Sequence, residues 1–125
     1  MPAPFSDTVM EHFFNPRNVG RLPSPPAVEG TAGSPDRGPY LRISLRFQDG
    51  HLVEARFQSY GCVPAIAAGS LLTELAQGRS RAELQALTPQ ELERGLGGLP
   101  DDRRFCAELA VEALRNALAH AGTTP

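Results

Sequence analysis

The side chains best suited to chemistry in this sequence are two cysteines, Cys62 and Cys106. Cys62 follows Tyr60-Gly61 and precedes a helical run over 63–77, and Cys106 falls in the first turns of the terminal helix. The unpaired N–H groups and positive dipole end of a helix N-terminus stabilise a thiolate and lower the thiol pKa. Two such thiolates could bind a soft metal, accept sulfur or close a regulatory disulfide, and two small buried apolar residues would fit the same spacing. They stand 44 positions apart, so no Cys-x-x-Cys geometry arises.

The other polar candidates have plainer explanations. His12 lies in the first predicted helix, His51 in a turn, and His120 at the end of the last helix, where it complements the negative dipole end; none neighbours a cysteine in sequence. Asp101-Asp102 and the Glu91/Glu93 pair read as helix caps and solvated faces. Gly95-Leu96-Gly97-Gly98 lacks the preceding strand that a phosphate loop needs. All 12 basic residues are arginine, which excludes Schiff-base catalysis and the lysine of a Walker loop.

The elements that must position these residues follow from periodicity. Eight of the 12 prolines lie in the first forty residues, which leaves room there for one short helix and loop. That helix is capped by Ser6, carries Val9, Phe13 and Phe14 as its apolar stripe, and ends at Asn15-Pro16. An edge strand is expected around Ala27 to Thr31. Leu41, Ile43, Leu45 and Phe47 then alternate with Arg42, Ser44 and Arg46; Asp49-Gly50 marks a turn; and Val53, Ala55 and Phe57 return with the same period of two. This is an antiparallel hairpin with one buried face.

After Gly61 the pattern is helical. Ala65, Ala68, Leu72 and Leu75 form a stripe that Gly78 closes, and Ser80-Arg81-Ala82-Glu83 and Thr88-Pro89-Gln90-Glu91 are capping boxes. Asp101 or Asp102 caps the last helix, Phe105, Leu109, Ala113 and Ala117 make its stripe, and Gly122 ends it. The expected fold is α+β: a small antiparallel sheet of about three strands with helices packed on one face.

A chain of 125 residues suits one domain over 1–125 and buries roughly two-thirds of its unfolded surface. The formal net charge of −2 argues against nucleic-acid binding. The apolar stretch Val63 to Leu72 is too short to span a bilayer and is broken by Pro64 and Gly69. With no signal-like N-terminus and only two cysteines, the expectation is a cytoplasmic protein with reduced thiols. No base, nucleophile and oxyanion-donor set assembles from these motifs, so the expected role is that of a carrier or platform and not an enzyme.

The order of features is specific. Asp7, His12 and Asn15-Pro16-Arg17-Asn18-Val19-Gly20 are followed by Gly33-Ser34-Pro35, the hairpin, Phe57-x-x-Tyr60-Gly61-Cys62, Ser70-Leu71-Leu72-Thr73-Glu74 and Cys106. From about Phe5 to Ala121 the chain resembles the IscU/NifU N-terminal family of iron–sulfur cluster assembly scaffolds. The resemblance implies a site of three cysteines, an aspartate near the first and a histidine beside the third. Cys62 and Cys106 match the second and third cysteines. Arg37 stands at the position of the first, Pro39 at that of the aspartate, and Phe105 at that of the histidine. Asp36, one residue off register, is a candidate ligand, and Arg37 and Phe105 line the implied site. Leu99-Pro100-Asp101-Asp102-Arg103 matches the family's chaperone-docking stretch in its first two residues.

The implied cargo is an iron–sulfur cluster or a zinc ion on Cys62 and Cys106, and the implied partner is a cysteine desulfurase. Such centres normally take four ligands, so two positions fall to water or to another subunit, as in a homodimer. Arg37 gives no lone pair to a metal but favours bare thiolates, leaving Cys106 as a nucleophile able to accept sulfur as a persulfide. The alternative is a metal-free paralogue that acts as an adaptor or regulator of the desulfurase. A Cys62–Cys106 thiol–disulfide switch is a third.

Overall fold

The computed structural model describes residues 5–34, 36 and 38–121. Helix α1 (Asp7–Phe14) leads into strands β1 (Val28–Gly33), β2 (Tyr40–Gln48) and β3 (His51–Tyr60). Helices α2 (Val63–Ala76), α3 (Arg81–Gln85) and α4 (Pro89–Gly95) follow, then a 3-10 turn over Asp101–Arg103 and helix α5 (Phe105–Ala121). The strands form an antiparallel meander in the order β1-β2-β3. This is the expected α+β arrangement.

Local chemistry explains most boundaries. Ser6 caps α1 by accepting the Val9 N–H at 3.0 Å, and its own hydroxyl donates to the Leu96 carbonyl at the end of α4. Both capping boxes form, with Ser80 and Glu83 starting α3 and Thr88 and Glu91 starting α4. The hairpin turns through Asp49 and Gly50, both at positive φ (54° and 80°), which an Asp-Gly pair tolerates.

One face of the sheet is apolar. Leu41, Ile43 and Leu45 on β2 and Leu52, Ala55 and Phe57 on β3 are buried with Gly30 and Ala32 of β1. On that face α2 and α5 pack through small residues: Ala65, Ala67 and Ala68 on α2, and Ala107, Ala110, Ala113 and Ala117 on α5, all fully buried. A methyl group at Gly30 would lie 2.2 Å from the Ala117 nitrogen, and one at Gly69 would lie 2.5 Å from the Phe57 ring. Leu84, Leu87, Leu92 and Leu96 on and around α3 and α4 complete the core. The opposite face is charged, with Glu29 between Arg21 and Arg42, and Glu54 between Arg46 and Arg56.

The structure corrects several assignments. A bulge between Arg46 and Phe47 pairs Phe47 with Leu52 and Arg46 with Glu54. The extra residue, Val53, is therefore turned outward (40% exposed), and Leu52 takes the core position expected for it. On α1 the buried residues are Val9 and His12, whereas Phe14 is 69% exposed, because the helix packs on α2 with the other side of its apolar stripe. Ser44, read as solvent-facing, is buried among the arginines of the charged face. Asp101 and Asp102 form the 3-10 turn and do not cap α5. Phe105 is 42% exposed at the start of α5, and Gly122 lies outside the described residues.

Candidate functional site

Strand β3 delivers Cys62 to the edge of the fold through a tight passage. Gly61 adopts φ +139°, and a Cβ there would meet the Pro39 backbone at 3.0 Å, so glycine alone fits. Cys62 is then the N-cap of α2. Its carbonyl accepts the Ala65 and Ile66 N–H groups, and Pro64 in the first turn has no N–H to satisfy. A serine or aspartate in this place would turn its side chain back onto the helix. The Cys62 side chain makes no such bond. It points instead at Cys106, the second residue of α5, with the two Sγ atoms 3.5 Å apart.

The two thiols differ in access. Cys62 is half-buried and forms part of the wall of an open cleft of about 480 Å³, with Gly38, Pro39, Tyr60, Gly61, Arg103 and Phe105. Cys106 is 0% exposed and is not part of that wall. Burial is the main reason its thiol pKa is pushed up, to about 12; the hydrogen bond and charge interaction with Cys62 add to this, and Arg103 opposes it. The expectation that the helix N-terminus makes Cys106 a ready thiolate is therefore overturned: desolvation of the charged form outweighs the dipole.

Two thiolates on one tetrahedral metal with metal–sulfur bonds of about 2.3 Å stand about 3.8 Å apart. The observed gap is close to that bite, so the pair fits two of the four positions of such an ion. Among the described residues, no group of three or more His, Cys, Asp or Glu side chains could hold a metal. Asp36 is exposed, and Arg37 lies outside the described residues. Phe105 is part of the cleft wall and brings only an apolar ring.

Residues 4–122 match the NifU-like N-terminal domain family. The chain belongs to that family. Among relatives of this NifU-like domain, the iron–sulfur cluster assembly scaffold protein IscU 1 of Archaeoglobus fulgidus is 40% identical over 114 residues, covering 91% of this chain and 74% of the relative. The scaffold protein IscU of Escherichia coli is 36% identical over 118 residues, covering 92% and 91%. The N-terminal NifU-like protein of Brucella abortus superposes with a TM-score of 0.75 at 18% identity, over 96% of this chain and 95% of that one, which bears on the fold alone.

In this NifU-like domain the Asn15-to-Gly20 stretch that carries much of the resemblance does structural work. Asn18, at φ 60°, accepts the Phe57 N–H through its carbonyl, and the Gly20 N–H donates to the Phe57 carbonyl. The stretch is thus a strap along the outer edge of β3. The Asn18 side chain bonds to Thr73 of α2 and to Arg56 of β3. Sequence reasoning gave little weight to His12, which is 5% exposed with Nδ1 2.7 Å from Ser70 Oγ and Nε2 3.6 Å from Glu74. Nδ1 also lies 3.3 Å from the Arg17 guanidinium, which can only donate, so Nδ1 is the acceptor, Ser70 donates its hydroxyl hydrogen to it, and the ring proton falls on Nε2 toward Glu74. Burial first, then the Arg17 charge, lowers the His12 pKa. The signal available was its spacing of three from Val9, which places both on one helical face. Arg103 was also missed as a cleft residue; only the 3-10 turn brings it there.

Proposed function

We propose that this protein is an iron–sulfur cluster assembly scaffold in which Cys62 and Cys106 hold sulfur or a nascent cluster as cargo. The observation that carries this reading is the meeting of two thiols, 44 positions apart, at 3.5 Å behind an open cleft in a fold shared with named scaffolds. Two thiolates supply half of the usual four-ligand set, so the remaining positions come from water or from a second chain in a homodimer. The sulfur donor in this reading is a cysteine desulfurase that docks at the cleft. The protein is a carrier and not an enzyme, and it works in the cytoplasm. Among the described residues no helix is long and apolar enough to cross a membrane.

The test is anaerobic reconstitution with ferrous iron and sulfide, read by metal analysis and visible absorption. The expected result is about two irons per cluster, lost in Cys62→Ser. A second reading, a metal-free adaptor for the desulfurase, is favoured by the high pKa of Cys106 and by the two-cysteine set. It is the correct one if wild-type protein takes up no iron yet still binds the desulfurase.

A further inference from the structure

We infer that Cys62 and Cys106 act in sequence on sulfur: Cys62 accepts a sulfane sulfur in the cleft, and Cys106 expels it as hydrosulfide by closing a Cys62–Cys106 disulfide. This rests on the sulfur-handling part of the function proposed above and reverses the expectation that Cys106 is the acceptor. The asymmetry of access assigns the roles. A donor persulfide carried on a partner can reach Cys62 through the cleft, whereas Cys106 has no exposed surface and lies outside the cleft wall.

Substitution at sulfur requires the attacking atom, the central sulfur and the leaving sulfur to stand nearly in line. Here the central atom is Cys62 Sγ. Cys106 Sγ is 3.5 Å away on the protein side, and the cleft is the open space in which an added sulfur on Cys62 can sit. No cap hydrogen bond holds the Cys62 side chain, so it is free to move inward to the disulfide length of about 2.05 Å.

The steps balance. In the first, Cys62 Sγ attacks the outer sulfur of the donor persulfide; the donor S–S bond breaks, the donor leaves as a thiol, and Cys62 carries an anionic persulfide. In the second, the Cys106 proton passes to the outer sulfur and Cys106 Sγ, now a thiolate, attacks Cys62 Sγ; the bond to the outer sulfur breaks and that sulfur leaves as HS⁻. The two electrons that reduce the sulfane sulfur to sulfide come from the two cysteine sulfurs as they become a disulfide. The release itself therefore needs no outside electron donor, and a dithiol reductant resets the pair for another round.

The test uses the whole 125-residue chain, reduced and desalted under anaerobic conditions, with glutathione persulfide as the probe. Intact mass and free sulfide are followed over time. Wild type is expected to gain about 32 Da transiently, then fall to about 2 Da below the reduced mass while releasing about one sulfide per chain, with a peptide linking Cys62 to Cys106. Cys106→Ser is expected to keep the added sulfur on Cys62 and release less than about one-tenth as much sulfide. The wild-type mass course decides the matter even if that variant folds poorly. A wild-type chain that keeps its added sulfur without releasing sulfide overturns the inference and leaves the scaffold reading standing. A chain in which Cys62 takes up no sulfur overturns both the inference and the sulfur-handling part of that reading.

Discussion

Alkylation of Cys106 measures how far burial keeps it protonated against a reagent from solvent. With a pKa of about 12, roughly one Cys106 in ten thousand is a thiolate at pH 8, against about one in four for an ordinary cysteine of pKa about 8.5. That is a deficit of roughly 2,500-fold. A more basic thiolate is also a better nucleophile, and a Brønsted slope of about 0.4–0.5 returns some 30- to 60-fold of the loss. The net expectation is a slowing on the order of a hundredfold, before any wait for the fold to open. The assay is iodoacetamide labelling of Cys62→Ser, in which Cys106 is the remaining thiol, with the same chain in urea as the reference rate. Removing Cys62 takes away the two smaller causes of the raised pKa and leaves burial, the largest, so the slowing in this variant is smaller than the hundredfold worked for the pair but still present. A folded-state rate equal to the urea rate within about twofold would refute the claim that desolvation governs this thiol.

Two further outcomes follow from the packing. Gly30→Ala forces a methyl group to within 2.2 Å of the Ala117 nitrogen and 2.3 Å of the Ala113 carbonyl oxygen, so α5 itself must shift; overpacking of this kind costs about 1–3 kcal/mol, or roughly 4–12 °C in Tm, and a loss under about 2 °C in a thermal melt contradicts it. Because the His12 pKa is lowered by folding, acid protonates the unfolded chain first, so the unfolded state binds more protons below pH 6.5 and stability falls as pH drops from 7 toward 5. His12→Gln is expected to flatten that part of the urea-midpoint profile, and an unchanged slope would show that His12 is not its source.

What the sequence made legible was local. The Asp49-Gly50 turn, the two capping boxes and the period-two hairpin each depend on a few neighbouring residues, and each formed as expected. What it hid depended on the third dimension. No residue near Val53 marks the bulge, which is a mismatch between two strands and not a property of either. Phe14 and Phe105 look like core residues by type, yet the burial of an aromatic at a helix end depends on which neighbour arrives. The Cys106 pKa shows the same division. Its place near a helix start was readable and predicted a lowered value, whereas the depth of burial that reversed the sign exists only in the folded molecule. The meeting of the two cysteines came from the resemblance; nothing in a separation of 44 positions requires it.

The alanine-lined seam under α2 and α5 has a mechanical consequence. Where helices rest on a sheet through long, pliable side chains, small sequence changes are absorbed by repacking. Where α5 crosses β1 at Gly30, helix backbone lies almost directly on strand backbone, whereas α2 rests on the Phe57 ring through Gly69. The seat of the helix that carries Cys106 is therefore gauged by main-chain atoms, as one jaw of a caliper is gauged by its beam. Substitutions around the rim of the opening can retune charge or access without altering that gauge, whereas one added methyl group at the seam resets it from a distance.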